Sequence, residues 1–267
     1  MGKFRLSDSH FFKADSLFLK LKNQLSCFPN LSKGDGILIS LSGGVDSTSL
    51  LVLMCTLSQY KISVAHINHN LRKESNDEEK FVKNLSYSDI WLHNYKNKDS
   101  RAILSYIWNL RSFTDYIQQL EMESLGKQPS KESEFKKTGQ IIFGGYGPKA
   151  QHSYFQLLHQ GTQGVCADII ASKEDKKSLA YAQAITQSQL LSQGAEDLKD
   201  HERINGNIPT NLFIINRTSL YEIGYLLATW EHRTYITSVM LGINPFDQYG
   251  VSAGKIFTRK YLEENGG

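Results

Sequence analysis

Apolar residues recur at helical spacing near the start of the chain. Phe12, Leu17, Leu19, Leu21 and Leu25 predict a helix over residues 10–28, which Pro29 ends. GILISL (36–41) is an unbroken apolar run and reads as a buried strand. DSTSLLVLMCTLSQ (46–59) returns to helical spacing, and ISVAHIN (62–68) reads as a second strand. Strand, helix and strand in so short a span predict a βαβ unit with a right-handed crossover. Residues 69–85 form a polar connection into another helix, and the pattern changes near Ser86–Ile90. Strands are predicted at 102–106, 140–146, 165–171 and 211–216, and helices at 111–124, 177–194 and 219–240. A further helix follows the 140–146 strand and ends near Gly161. Ser219 and Glu222 make a capping box for the last of these helices. Alternating strands and helices predict a parallel, layered α/β arrangement.

Composition adds bounds rather than detail. With 267 residues, 40% apolar and 21% charged, the chain suits one large globular domain or two small ones. A formal charge of +3 does not by itself argue for nucleic acid. Cys27, Cys55 and Cys166 lack metal-type spacing, so no metal site is expected. So sparse a set suits reduced thiols and a cytoplasmic protein. No membrane helix or signal peptide is expected, and Leu6 stands where a myristoylation signal needs Ser or Thr.

The turn after the first strand is SGGVDS. Two glycines let backbone approach an anion, and the next helix aims its free N–H groups at the same place. A bare Gly-Gly turn reads equally as a tight turn without ligand, but the full motif after a buried strand is more specific. The motif resembles the N-type ATP pyrophosphatases, and AHINHNLRKESNDEEKFV (65–82) resembles the corresponding part of tRNA(Ile)-lysidine synthetase. That resemblance covers residues 10–85. It implies that Ser42, Gly43, Gly44, Asp46 and Ser47 hold the pyrophosphate of ATP, with His66 and Asn68 near the adenosine. His66 and His69 read equally as a polar strand edge. The His- and Asp-rich segment that completes such a site does not follow Leu85.

A second constellation lies downstream. Glu121 and Glu123 fall near a helix end, His152 in a strand-to-helix turn, and Gln248 and Lys255 in and beside the turn into the last helix. A carboxylate, an imidazole and an ammonium are the parts of an acid/base set, although each taken singly reads as surface or cap. Four segments resemble glucose-6-phosphate isomerase, in that family's order: AILSYIWNLRSFTDYIQQLEMESLGK, GQIIFGGYGPKAQHSYFQLLHQG, GNIPTNLFII and ATWEHRTYITSVMLGINPFDQYGVSAGK. The resemblance covers residues 90–267 and points to the second sugar isomerase (SIS) domain. It implies glucose 6-phosphate to fructose 6-phosphate conversion through an enediol, without metal or cofactor. Glu123 would move the proton between C1 and C2. His152 and Lys255 would assist ring opening, and Gln119 and Gln248 would hydrogen-bond the sugar. The family is dimeric, with the ring-opening histidine reaching into the partner's site. Its phosphate-binding Ser/Thr loop lies upstream and has no counterpart in residues 1–85.

The two resemblances together predict a chimera-like chain. Residues 1–86 would be a truncated PP-loop (N-type ATP pyrophosphatase) βαβ unit. Residues 87–267 would be an SIS-like, flavodoxin-like layered domain. The expected partners are a sugar phosphate and a second copy of the chain, with no membrane. ATP is assigned to the first part and tRNA to the alternative function. With both sites incomplete, the isomerase is expected to be weakly active or inactive alone, and a non-catalytic fusion remnant is the further alternative.

Overall fold

Hydrophobic alternation becomes a layered α/β body in the computed structural model, which describes residues 16–26, 32, 34–41, 50, 54, 60–66 and 73–266, apart from Glu132 and Glu196. A helix α1 (Ser16–Ser26) precedes strands β1 (Gly36–Leu41) and β2 (Lys61–His66). Helix α2 (Lys73–Tyr95) leads to β3 (Ser100–Ser105), α3 (Phe113–Leu125) and β4 (Ile141–Tyr146). Two short helices, α4 (Gly147–Ala150) and α5 (Phe155–Gln160), precede β5 (Val165–Ser172). Then come α6 (Leu179–Gln193), β6 (Thr210–Ile215), α7 (Leu220–Leu241) and α8 (Tyr249–Glu264).

Strands β3 to β6 form one parallel sheet in the order β4-β3-β5-β6, and β1 pairs with β2 in a parallel two-stranded sheet of their own. Side chains alternate across the main sheet. Ile103 and Ile170 face one side and pack with Phe113, Ile117 and Trp230 of α3 and α7. Ala102, Leu104, Ala167, Ile169 and Ala171 face the other and pack with Ala150, Phe155, Ala184 and Leu191 of α4, α5 and α6. All eight residues of β5 are buried, as expected of a central parallel strand covered on both faces. Each large aliphatic side chain so enclosed contributes about 1.5–3 kcal/mol of transfer free energy.

The expected boundary near Ser86–Ile90 falls inside α2, a single helix of 23 residues. Its first half is polar, whereas Val82, Leu85, Ser86, Asp89, Ile90 and His93 are buried. The Ser86 hydroxyl donates to the Arg233 carbonyl at 3.1 Å, stitching α2 to α7. The change of tone in the sequence is a helix leaving solvent. Leu21 of α1 touches both the main core and the small cluster around Met54, so the early segment shares packing with the rest.

Other expectations shift by a few residues. The helix predicted over 10–28 is observed as Ser16–Ser26. The helix predicted after β4 is broken in two, with His152 in the break. The predicted loop residues Ser42, Gly43, Gly44, Asp46 and Ser47, together with Asn68 and His69, lie outside the described residues, while His66 ends β2.

Candidate active site

Two edges of the sheet must be kept apart. Each strand runs the same way, so connecting helices return antiparallel to it. Helix α3 descends from the C-terminal edge of β3 and ends at the opposite edge. There Gly126 lies against Gly139, and the Ile141 N–H bonds the Asp99 carbonyl as β4 begins. Helix α7 makes the same descent after β6, ending at Gly242 in the left-handed conformation (φ 67°).

The ends of α3 and α7 enclose a cavity of about 710 Å³. Met122, Glu123 and Lys127 line one wall, and Asn244, Asp247, Gln248 and Tyr249 line the other. The Lys127 ammonium bonds the Asp247 carbonyl oxygen and lies 3.4 Å from its carboxylate. This link ties the end of α3 to the turn before α8. It therefore sets the spacing of the two walls. Nothing in the isolated spacing of Lys127 and Asp247 announced the link, although both lie within the segments that carried the isomerase resemblance.

Of the residues expected from sequence, Glu123 and Gln248 reach this cavity. Gln119 sits one turn back on α3, and its amide donates to Glu123 Oε2 at 3.2 Å. Lys255 is exposed on α8, none of whose residues is buried. His152 is exposed beyond the C-terminal end of β4. It therefore stands at the opposite edge of the sheet from Glu123, separated by the length of a six-residue strand, about 17 Å. One chain does not bring the carboxylate and the imidazole together.

Glu121, two residues before Glu123, has a different place. It is 3% exposed and pairs with Arg101 on β3. Arg101 also bonds Asp89 of α2 at 2.6 Å. Arg233 of α7 bonds Asp89 and Asp168 at 2.6 and 2.7 Å. Asn211 of β6 donates to Asp168 at 2.7 Å. These residues form a buried ionic layer beneath α2, α3 and α7, at the N-terminal ends of the strands. Burial pushes the Asp89 carboxyl up, but Arg101 and Arg233 outweigh it and hold the group below the usual carboxylate range. Burial works against the charged form of Arg233 as well, yet Asp168 and Asp89 raise its pKa above the ordinary value. The layer acts as a structural clamp, because its charges already satisfy one another. Among the described residues, no group of three or more His, Cys, Asp or Glu is placed to hold a metal ion, and no helix is long and apolar enough to cross a membrane.

Comparison with known proteins agrees with this architecture. The family model "Phosphoglucose isomerase" matches residues 56–266. Glucose-6-phosphate isomerase 2 of Neisseria meningitidis serogroup B is 34% identical over 200 residues, covering 66% of this chain and 37% of the relative. Glucose-6-phosphate isomerase of Acinetobacter baumannii is 33% identical over 247 residues, covering 82% of this chain and 43% of the relative. The crystal structure of a glucose-6-phosphate isomerase from Chlamydia trachomatis superimposes with a TM-score of 0.63 at 26% identity, over 84% of this chain and 42% of that one. The chain thus spans less than half the length of these relatives.

These matches overturn the chimera. They run across the expected join at Ser86–Ile90, where α2 is one uninterrupted helix. The structural match also extends over more of the chain than the segment 87–267. A single glucose-6-phosphate-isomerase-like domain spans most of the sequence. The PP-loop reading of the first strands, with the tRNA-modifying function it implied, is withdrawn. The chain belongs to the phosphoglucose isomerase family.

Proposed function

We propose that the chain carries the proton-shuttling half of an aldose–ketose isomerase site for a sugar phosphate, with glucose 6-phosphate and fructose 6-phosphate as its substrate pair. The observation behind this reading is the cavity between α3 and α7, which presents Glu123 beside Gln248 and within reach of Gln119. A carboxylate on a cavity wall can take a proton from the carbon next to a carbonyl and return it to the neighbouring carbon. The two glutamine amides supply neutral hydrogen bonds to sugar hydroxyls. His152 would trade protons with the ring oxygen, and Lys255 would assist ring opening. The reaction so written moves protons only and needs no metal or redox cofactor.

Geometry also limits the proposal. His152 and Glu123 lie at opposite edges of the sheet, so a working site requires the histidine from a second copy. Without a built phosphate anchor beside the cavity, binding energy remote from the reacting carbons is lost. Turnover by this chain alone is expected to be weak or absent. The test is conversion of fructose 6-phosphate to glucose 6-phosphate by purified protein, beside Glu123→Gln. Turnover removed by that substitution supports the assignment. Turnover that survives it places the base elsewhere, and no turnover in either protein supports the reading of a folded, non-catalytic member.

A further inference from the structure

Helix α8 is anomalous among the helices of this fold. It contains sixteen residues, and none is buried. Successive side chains turn by about 100° along a helix. Tyr249, Ala253, Ile256, Phe257 and Tyr261 therefore share one face, and four of them are 64–79% exposed large side chains. Lys255, Arg259 and Leu262 point to the other side. The charge pattern opposes the helix's own dipole. The first turn has no acidic residue and the last turn no basic one, while Glu263 and Glu264 crowd the C-terminal end. Acidic groups there are unfavourable, and the same groups beside a helix N-terminus are favourable.

An antiparallel copy of the same helix resolves both features. We propose that α8 is a self-association surface, in which two copies of the chain pair α8 against α8 about a two-fold axis. Full overlap sets Ile256 against the partner's Phe257, and Phe257 against the partner's Ile256. Ala253 lies opposite the partner's Lys260, where its small side chain leaves room for the lysine stem. Glu263 and Glu264 come to lie beside the partner's Gly250 and Tyr249, at the free N–H groups of its first turn. Because Tyr249, Gly250 and Val251 also line the cavity that holds Glu123, each copy contributes acidic residues to the rim of the other's cavity. The contact is isologous and closes at two copies.

The test is sedimentation velocity of the full 267-residue chain over a range of concentrations. The wild type is expected to form a concentration-dependent dimer. Ile256→Glu and Phe257→Glu should each weaken it by at least roughly tenfold, and Glu263→Lys with Glu264→Lys should weaken it further than added salt does. Leu262→Glu, on the opposite side of the same helix, should leave dimerisation unchanged. Since α8 contains no buried residue, all four proteins should keep the wild-type circular dichroism and unfolding midpoint. A monomer at every concentration overturns the proposal, and so does a dimer indifferent to Phe257→Glu. Concentration-independent hydrogen-exchange protection of α8 would assign the face to another segment of this chain. Sedimentation with anionic phospholipid vesicles, lost in Phe257→Glu, would assign it to a membrane surface. Either result overturns the self-pairing.

Discussion

At the scale of single residues, two glutamates one residue apart on opposite sides of a missing-link position have unlike fates. Glu121 points inward and is consumed by Arg101, whereas Glu123 lines the open cavity. The helical turn of about 100° per residue explains the divergence. The ionic layer that holds Glu121 should be costly to break. Arg233→Met leaves Asp89 and Asp168 without their shared cation and should lower stability by about 3–5 kcal/mol, measured by urea unfolding. Lys83→Ala removes only a surface pair with Glu79 and should leave the midpoint in place. Burial pushes the Cys166 thiol up to about 11, although Arg101 works against the rise. In native protein Cys166 should therefore resist alkylation at neutral pH and react on unfolding, as site-resolved mass spectrometry would show.

At the scale of elements, strand pairing depends on positions where backbone approaches backbone. Gly144 on β4 lies opposite Ile103 on β3 with φ 143°, and a Cβ there would sit 2.0 Å from the Ile103 carbonyl oxygen. Gly144→Ala should destabilise by upwards of about 2 kcal/mol. Gly242 also has positive φ, but open space surrounds it. Gly242→Ala should cost only about 1 kcal/mol of left-handed strain. Thermal unfolding of the two variants side by side separates steric collision from backbone strain. The elements themselves were largely legible, because each strand of the main sheet carries an apolar run and each long helix its own spacing. The break between α4 and α5 was not legible, since Tyr154, Phe155 and Leu158 continue an apolar pattern across it.

At the scale of the whole molecule, stability should fall with acid in two stages. Burial lowers the His93 pKa below its ordinary value of 6.5. Asp99, 3.5 Å away, works to raise it, while Lys137 and Arg101 oppose Asp99. Neutral His93 is thus favoured by folding. Its contribution is full above the unfolded pKa and is lost as pH falls from 6.5 through the folded value. The depressed Asp89 carboxyl contributes above 3.8 and loses that contribution as pH falls through its lower folded pKa. Thermal midpoints recorded against pH should show a decline beginning near 6.5, which His93→Gln removes. A second decline below 3.8 should persist in that variant.

Local chemistry in the chain determined the order of strands and helices, the parallel α/β class, and the place of Glu123 near a helix end. Those features depend on short-range periodicity and on residues adjacent in sequence. Only the tertiary structure decided which charges are buried. Asp89, Arg101, Glu121, Asp168 and Arg233 come from five separate elements, and each alone reads as an ordinary surface charge. It also decided that the polar first half and buried second half of α2 are one helix rather than the join of two proteins. Finally, it set Glu123 and His152 at opposite edges of the sheet, because parallel strands force the intervening helices to return antiparallel, and no spacing in the sequence records that distance.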